Sequence, residues 1–244
     1  MKKVFISDLH LNDDQPLITS MFKSYLESLI KNNKDDIELY IIGDLFESWV
    51  GDDHETRLHQ DIKSALLELT TSNIKTYFLY GNRDFLIGNK FLKETGVELI
   101  SDPYVFTYKN KKVLVSHGDK FCIDDTEYQM FRKIVRNKDW QKDFLGFPIS
   151  KRLKIAGEAK DASQNSKEKK SMTIMDVNQA TIEKVINAHQ VDLIIHGHTH
   201  RPAKHIIESN NHYCERFVLG DWTDESVIIL DWSNEDPVLI DLIN

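Results

Sequence analysis

The stretch IIHGHTHRPA, residues 194–203, sets histidines at alternate positions after a short apolar run: His196, His198 and His200. Packing rarely calls for three imidazoles so close together, whereas imidazole nitrogen is a common ligand for divalent ions. Four other clusters carry related chemistry. They are Asp8 and His10 in SDLHL, Asp44 in GDLFE, Asn82, Arg83 and Asp84 in GNRDF, and His117 and Asp119 in SHGDK. Singly each is weak, since Gly-Asp is a common turn and a histidine after a strand is usually hydrogen-bonded in its loop. Five in one chain make chance a poor account.

Carboxylate, imidazole and one amide suit hard or borderline divalent ions such as Mn²⁺, Fe²⁺ or Zn²⁺. Only Cys122 and Cys214 are present, which argues against a thiolate site. Seven ligand candidates exceed the needs of one ion. With Asp44 bridging, they make two adjoining sites, about 3.5–4 Å apart, an arrangement used for in-line displacement at phosphorus. Gly43, Gly81, Gly118 and Gly197 let backbone and ligands pack closely there. His196 closes a strand and is expected to support rather than ligate. Asp84 and Asp119 follow stronger candidates and are expected in turns, and His54, His59, His189, His205 and His212 in structural roles.

The elements that must position these residues follow from hydrophobic period. Val4–Ser7, Leu39–Ile42, Thr76–Leu79, Lys112–Ser116 and Leu193–Ile195 read as strands, and each precedes one of the five clusters. Helices are expected over Leu17–Lys31 with Pro16 at its start, Arg57–Leu69, Phe85–Lys93 and Met172–Ala188. The alternation implies a largely parallel sheet covered by helices, whose ligands gather at the carboxyl ends of strands. The tail, with Phe217–Leu219, Val227–Leu230 and Val238–Ile240, reads as antiparallel strands closing the fold.

Residues 124–170 differ in texture, being helical, basic and dotted with aromatics. Tyr128–Lys170 carries twelve Lys/Arg against five Asp/Glu, within a chain of 244 residues whose net charge is −8. The expected division is a core of 1–123 and 171–244 and a helical cap of 124–170. An acidic chain with no basic groove argues against nucleic acid as a partner. The apolar runs are too short to span a membrane, the opening MKKVFISDLH is too short for a signal peptide, and two cysteines suit a reducing compartment, so a cytoplasmic protein is expected. Oligomeric state has no marker in the sequence.

The set D-x-H, G-D, G-N, H-G and G-H-T-H resembles the calcineurin-like metallophosphoesterase superfamily. The longer stretches GDLFESWVGDD, GNRDFLIG, HGDKFCIDDTEYQMFR, SMTIMDVNQ and IHGHTHRPA resemble the UDP-2,3-diacylglucosamine hydrolase family, across about 220 residues. The resemblance implies an α/β (α+β sandwich) core, its sheets flanked by helices, with a helical cap insertion. It implies two divalent ions, usually Mn²⁺: Asp8, His10, Asp44 and His200 would hold one, and Asp44, Asn82, His117 and His198 the other. The implied reaction is attack of water on the α-phosphorus of UDP-2,3-diacylglucosamine, yielding UMP and 2,3-diacylglucosamine 1-phosphate for lipid A. Its implied place is the cytoplasmic face of the inner membrane. Asp125, Ser163 and Lys170 are implied substrate contacts, with Asn82, Arg83 and His198. Lys167 departs from the family's small polar residue there but shares a helical face with Ser163 and Lys170.

Many metallophosphoesterases carry His where this chain has Arg83. A phosphate monoester leaves as a weak base, with a second pKa of roughly 6, so a proton donor gains little. A fixed guanidinium can instead hold phosphate oxygens and steady the growing charge. In the cap, Phe131, Ile134, Phe144, Leu145, Phe147 and Leu153 are candidates for a trough taking two acyl chains, and the basic residues beside them suit an anionic bilayer. Two other readings remain. One is a metallophosphoesterase for a soluble nucleotide or other phosphoester; the other is a degenerate scaffold, which the complete ligand set disfavours.

Overall fold

Alternation of side chains along the strands sorts the molecule into layers. The computed structural model describes residues 1–32, 36–169, 174 and 176–243, with the side chains of 166–169 left aside. In β1 (Lys2–Ile6), Val4 and Ile6 face one way and Phe5 the other; in β2 (Ile37–Ile41), Leu39 and Ile41 follow Val4, while Tyr40 stacks on Phe5. The first face is covered by α1 (Pro16–Lys31), α2 (Arg57–Thr71) and α3 (Asn89–Thr95), which bury Phe22, Leu26, Ile62, Leu66 and Phe91 against it. The second face meets another sheet.

The first sheet continues from β2 through parallel β3 (Lys75–Phe78) and β4 (Glu98–Leu99). On the other side of β1 it is extended by antiparallel β10 (Ile228–Trp232) and β11 (Val238–Asp241). The second sheet holds β5 (Tyr104–Tyr108), β6 (Lys111–Ser116), β7 (Leu193–His196), β9 (His212–Val218) and β8 (Ala203–Ser209), in that spatial order. Its centre, β6–β7–β9, is parallel and its edges antiparallel. Val113, Val115, Leu193, Ile195 and Phe217 pack between the sheets, while Leu114 and Ile194 turn outward under Ile182 and Ile186 of α7 (Gln179–His189). The result is a two-sheet sandwich with helices on both outer faces, as the expected fold class has it.

Two expected helices begin later than their periodicity suggests. α3 starts at Asn89 rather than Phe85, because a carboxylate from elsewhere claims the backbone N–H groups of its first turn. Asp52 accepts from Gly88, Lys90 and Phe91 (2.9–3.1 Å), so it caps the helix across 36 or more residues. α7 starts at Gln179, where the Asn178 side chain accepts from the Thr181 N–H at 3.0 Å. Of the earlier part of that expected helix, 172, 173 and 175 lie outside the described residues. The edge strand β8 had no clear period, since most of its side chains are exposed, and pairing with β9 makes it a strand.

Three helices follow β6 and a single 3-10 turn at Asp119–Phe121: α4 (Thr126–Val135), α5 (Lys138–Leu145) and α6 (Ile149–Lys169). Phe144 of α5 corrects an expectation. It is buried in the main core, stacked on Trp140 with ring centroids 4.9 Å apart, so it does not line an open trough. Among the described residues no helix is long and apolar enough to cross a membrane.

Candidate metal centre

Turns at the carboxyl ends of β1, β2 and β7 swing successive side chains toward one point. Asp8, His10, Asp44, His198 and His200 all adopt left-handed backbone, with φ between +50° and +69°. Such conformations are uncommon for residues with a Cβ and cost on the order of 1–3 kcal/mol each. Five of the seven candidate ligands carry that strain, and their surroundings hold it. Gly81 and Gly197 are required beside them, because a Cβ there would collide with the carboxylates of Asp44 and Asp8 respectively.

Hydrogen bonds on the far side of each ring fix which nitrogen faces inward. His10 Nδ1 lies 2.8 Å from Glu47 Oε2, His200 Nδ1 lies 3.3 Å from Asp221 Oδ2, and His117 Nδ1 lies 3.0 Å from the Ile42 carbonyl. Those oxygens only accept, so Nδ1 carries the proton and Nε2 presents a lone pair in each neutral ring. The inward Nε2 atoms then face other lone pairs. His10 and His200 Nε2 are 3.3 Å apart, and His200 Nε2 is 3.3 Å from Asp8 Oδ1. His117 Nε2 is 2.9 Å from Asn82 Oδ1. Asp44 Oδ2 stands between the two groups, 3.8 Å from His10 Nε2 and 3.7 Å from His117 Nε2. Asp8 Oδ1 is buried with no hydrogen-bond partner among the described residues.

Lone pairs gathered this way, around a buried carboxylate, need cations between them. Among the described residues two ligand groups satisfy the geometry, Asp8–His10–His200 and Asp8–Asp44–His117, each with its atoms within 4.8 Å of one another. The oxygen and imidazole donors fit divalent metal ions. Without an ion, charge shows the same convergence. Burial works against the charged form of His200, yet Asp221 and Asp8 push it up to about 10. Burial works against ionised Asp8 too, yet His200, His117 and His10 hold its carboxyl well below the usual range.

His198 is set differently. Its backbone N–H donates to Asp8 Oδ2 (2.9 Å), and its ring lies edge-on to His117 and tilted against Tyr128, with centroids 5.1 and 5.7 Å away. Burial, then neighbouring His117, pushes it down to about 4, so it is neutral near pH 7. His196 is a fully buried supporter: Nδ1 donates to the Gly197 carbonyl and Nε2 accepts from Arg216, both at 2.9 Å. Asp84 braces the turns after β2 and β3, and burial together with the Asp44 charge pushes it up to about 7. Asp119 holds Arg132 Nε at 2.6 Å and the Tyr128 hydroxyl at 2.8 Å.

Sequence reading missed Glu47 and Asp221, the two carboxylates behind His10 and His200. Each carried a signal: Glu47 lies within GDLFE itself, and Asp221 repeats the Gly-Asp pattern after β9. Around the centre, Arg83 donates its backbone N–H to Asp44 Oδ1 (2.8 Å) and accepts from the Trp49 N–H through its carbonyl (3.2 Å). Its Nε is buried without a hydrogen-bond partner among the described residues. Asp125 caps α4, accepting from the Tyr128 N–H at 3.1 Å. Ser163 is half-buried on α6, one turn beyond Lys160, whose Nζ lies 3.1 Å from Glu47 Oε1. Lys170 and the Lys167 side chain lie outside the described residues. Of the expected trough, Phe131, Ile134, Leu145 and Leu153 are exposed and Phe147 is half-buried.

The calcineurin-like phosphoesterase family model matches residues 1–202. The UDP-2,3-diacylglucosamine hydrolase of Haemophilus influenzae (strain PittGG) is 44% identical over 226 residues, covering 93% of this chain and 92% of that one. That of Serratia proteamaculans (strain 568) is 43% identical, covering 94% of each, and that of Vibrio parahaemolyticus serotype O3:K6 is 42% identical, covering 94% and 93%. Strand-end clusters, inward lone pairs and these relatives agree: the chain belongs to the calcineurin-like phosphoesterase family and, within it, to the UDP-2,3-diacylglucosamine hydrolases.

Proposed function

We propose that the protein hydrolyses the pyrophosphate bond of UDP-2,3-diacylglucosamine, giving UMP and 2,3-diacylglucosamine 1-phosphate for lipid A synthesis. The observation that carries this reading is the pair of ligand groups sharing Asp8, in a chain 44% identical to an enzyme of that name. Asp8, His10, Asp44 and His200 are proposed to hold one divalent ion, and Asp44, Asn82, His117 and His198 the other. Mn²⁺ is the proposed metal, in keeping with the hard oxygens and imidazoles. When bound, the ions supply Lewis acidity to the attacking water and to the phosphoryl oxygens.

The protein's own groups do the rest. Glu47, Asp221 and the Ile42 carbonyl keep three imidazoles in the tautomer that turns Nε2 inward. Water attacks the α-phosphorus, the bond to the bridging oxygen breaks, and the β-phosphate departs with the lipid sugar. Arg83, its backbone clamped at both ends, offers an unspent Nε–H to the phosphate oxygens as charge builds on the leaving group. Neutral His198 faces the phosphate without giving up a proton. Asp125, Ser163, Lys167 and Lys170 are proposed to contact the substrate with Asn82, and 124–170 to act as a cap on a core of 1–123 and 171–244.

Incubation with UDP-2,3-diacylglucosamine and Mn²⁺ tests the reading, with UMP and the lipid phosphate as readout. No release, under conditions that cleave a generic phosphodiester, overturns it. In ¹⁸O water the label is expected in UMP, and label in the lipid product contradicts attack at the α-phosphorus. The proposed workplace is the cytoplasmic face of the inner membrane, supported by exposed Met130, Phe131 and Ile134 sharing α4 with Lys133. Co-flotation with anionic but not neutral vesicles is the expected result.

A further inference from the structure

The centre has two flanks of different character. On one, Lys160 of α6 reaches Glu47 and through it His10, with Ser163 one turn further on. On the other, beyond Asn82, lies a cavity of about 390 Å³ lined by Tyr80, Ile100, Ser101, Asp102, Arg132 and Arg136. The two arginines tie this cavity to the centre. Arg136 Nη2 donates to the carbonyl of Gly81, next to Asn82, at 2.7 Å, and Arg132 donates to Asp119, two residues past His117. With Asn82, both also line a narrow gap beneath α4.

We propose that this cavity is the subsite for the nucleoside half of the substrate, the uracil and its ribose. The inference rests on the UDP-sugar reading above. A phosphorus held at the metal ligands carries its nucleoside one ester bond away, so the nucleoside must occupy a flank directly. The lipid sugar leaves on the other side of the same phosphate pair. Ligand pockets run from roughly 300 to 1,000 Å³, and this one sits near the lower bound, with room for a nucleoside but not for a diacylated sugar.

The polar groups match as well. A guanidinium has five N–H donors; the hydrogen bonds among the described residues use one of Arg132 and one of Arg136. The remaining donors suit the two carbonyl oxygens of uracil. Asp102 Oδ1 is taken by the Ser116 hydroxyl (2.7 Å) and by Lys120 (2.9 Å), while Oδ2 makes no hydrogen bond among the described residues. A carboxylate oxygen so placed is an acceptor for ribose hydroxyls, as in other nucleotide sites. Tyr80 spends its hydroxyl on the Ile87 carbonyl (2.7 Å), which leaves its ring, with Ile100, as an apolar wall.

Photolabelling with 5-iodo-UMP and Mn²⁺, on the full-length protein, tests the placement. Crosslinks are expected on Tyr80, on 99–102 or on 132–136; a crosslink confined to α6 or elsewhere overturns it. Ser101→Trp narrows the cavity from its rim and is expected to raise the inhibition constant of UMP about tenfold. The constant for 2,3-diacylglucosamine 1-phosphate is expected to stay within about twofold. An unchanged UMP constant, or equal rises in both, overturns the proposal. The two readings fail separately. Cleavage of UDP-2,3-diacylglucosamine with misplaced crosslinks sinks only the cavity, whereas no cleavage with correct crosslinks sinks the activity and leaves a nucleotide site.

Discussion

The metal centre and the three helices above it are built on opposite terms. At the centre, Asp8, Asp44 and His117 are buried, their neighbours are locked into left-handed turns, and inward rings are fixed by acceptors behind them. The helices α4–α6 share the main core through few side chains, chiefly Phe144, Trp140 and Ile155, and leave Met130, Phe131, Ile134 and Leu153 in solvent. They are otherwise pinned by polar anchors, among them Arg152 on Val50 and Asp53, Lys160 on Glu47, Tyr128 and Arg132 on Asp119, and Arg136 on Gly81. An over-determined centre resists any change of shape, so its substitutions should cost turnover. Helices pinned in this way can lose an anchor and still fold, so their substitutions should cost affinity.

The sharpest break in that contrast is Asp44→Ala. It removes the carboxylate that lies 3.8 Å from His10 Nε2 and 3.7 Å from His117 Nε2, and turnover is expected to fall at least ~10³-fold, beyond the roughly 10–100-fold that supporting partners of metal ligands carry. Metal analysis should show less than the wild-type content. Arg83→Ala should cost about 10²–10³-fold in kcat while metal content stays normal; a near-normal kcat removes Arg83 from the chemistry. Glu47→Gln keeps the shape but weakens the acceptor behind His10. It should lower metal affinity roughly 10–100-fold, read by titration of the stripped protein. If kcat falls at saturating metal while affinity holds, Glu47 acts on substrate instead.

What was legible in the sequence follows the same divide. The candidate ligands announced themselves because strand ends confine chemistry-bearing types to short local motifs, and the strands came from short continuous apolar runs, buried on both faces. Glu47, Asp221 and Asp52 escaped because each works through a partner that only the fold supplies: His10 for Glu47, His200 for Asp221, the N-terminus of α3 for Asp52. Phe144 was misplaced because an amphipathic pattern tells which residues seek an apolar surface, not which surface they find. The late start of α3 has the same origin. Its periodicity is local, but the Asp52 carboxylate, from a distant loop, settles where the helix begins by taking the N–H groups of its first turn.

Smaller effects are expected among α4–α6. Arg152 is 2% exposed and donates to the Phe147 and Val50 carbonyls (3.0 and 2.7 Å) and to both Asp53 oxygens. Arg152→Met strands the Val50 carbonyl and should cost about 1–3 kcal/mol, read as a lower Tm. KM should rise about tenfold with kcat little changed; a collapse of kcat would mean that α4–α6 shape the centre after all.

Asp53 offers the mildest test, through pH. Hydrogen bonding from Arg152 holds its carboxyl below the usual value of 3.8, against the opposing effect of burial. A carboxyl so lowered stabilises the folded form at pH above its unfolded value, and the gain disappears as pH falls through the folded value. Because Asp53 is 61% exposed, solvent screens the pair and the effect is modest. Acidification below about pH 4 should therefore loosen α6 before the sandwich, seen as pepsin cleavage within 149–169 that precedes global unfolding. Asp53→Asn should be cleaved there at higher pH and should lack the acid step. Simultaneous loss of α6 and the sandwich across the titration would show that the anchor is no weaker than the fold beneath it.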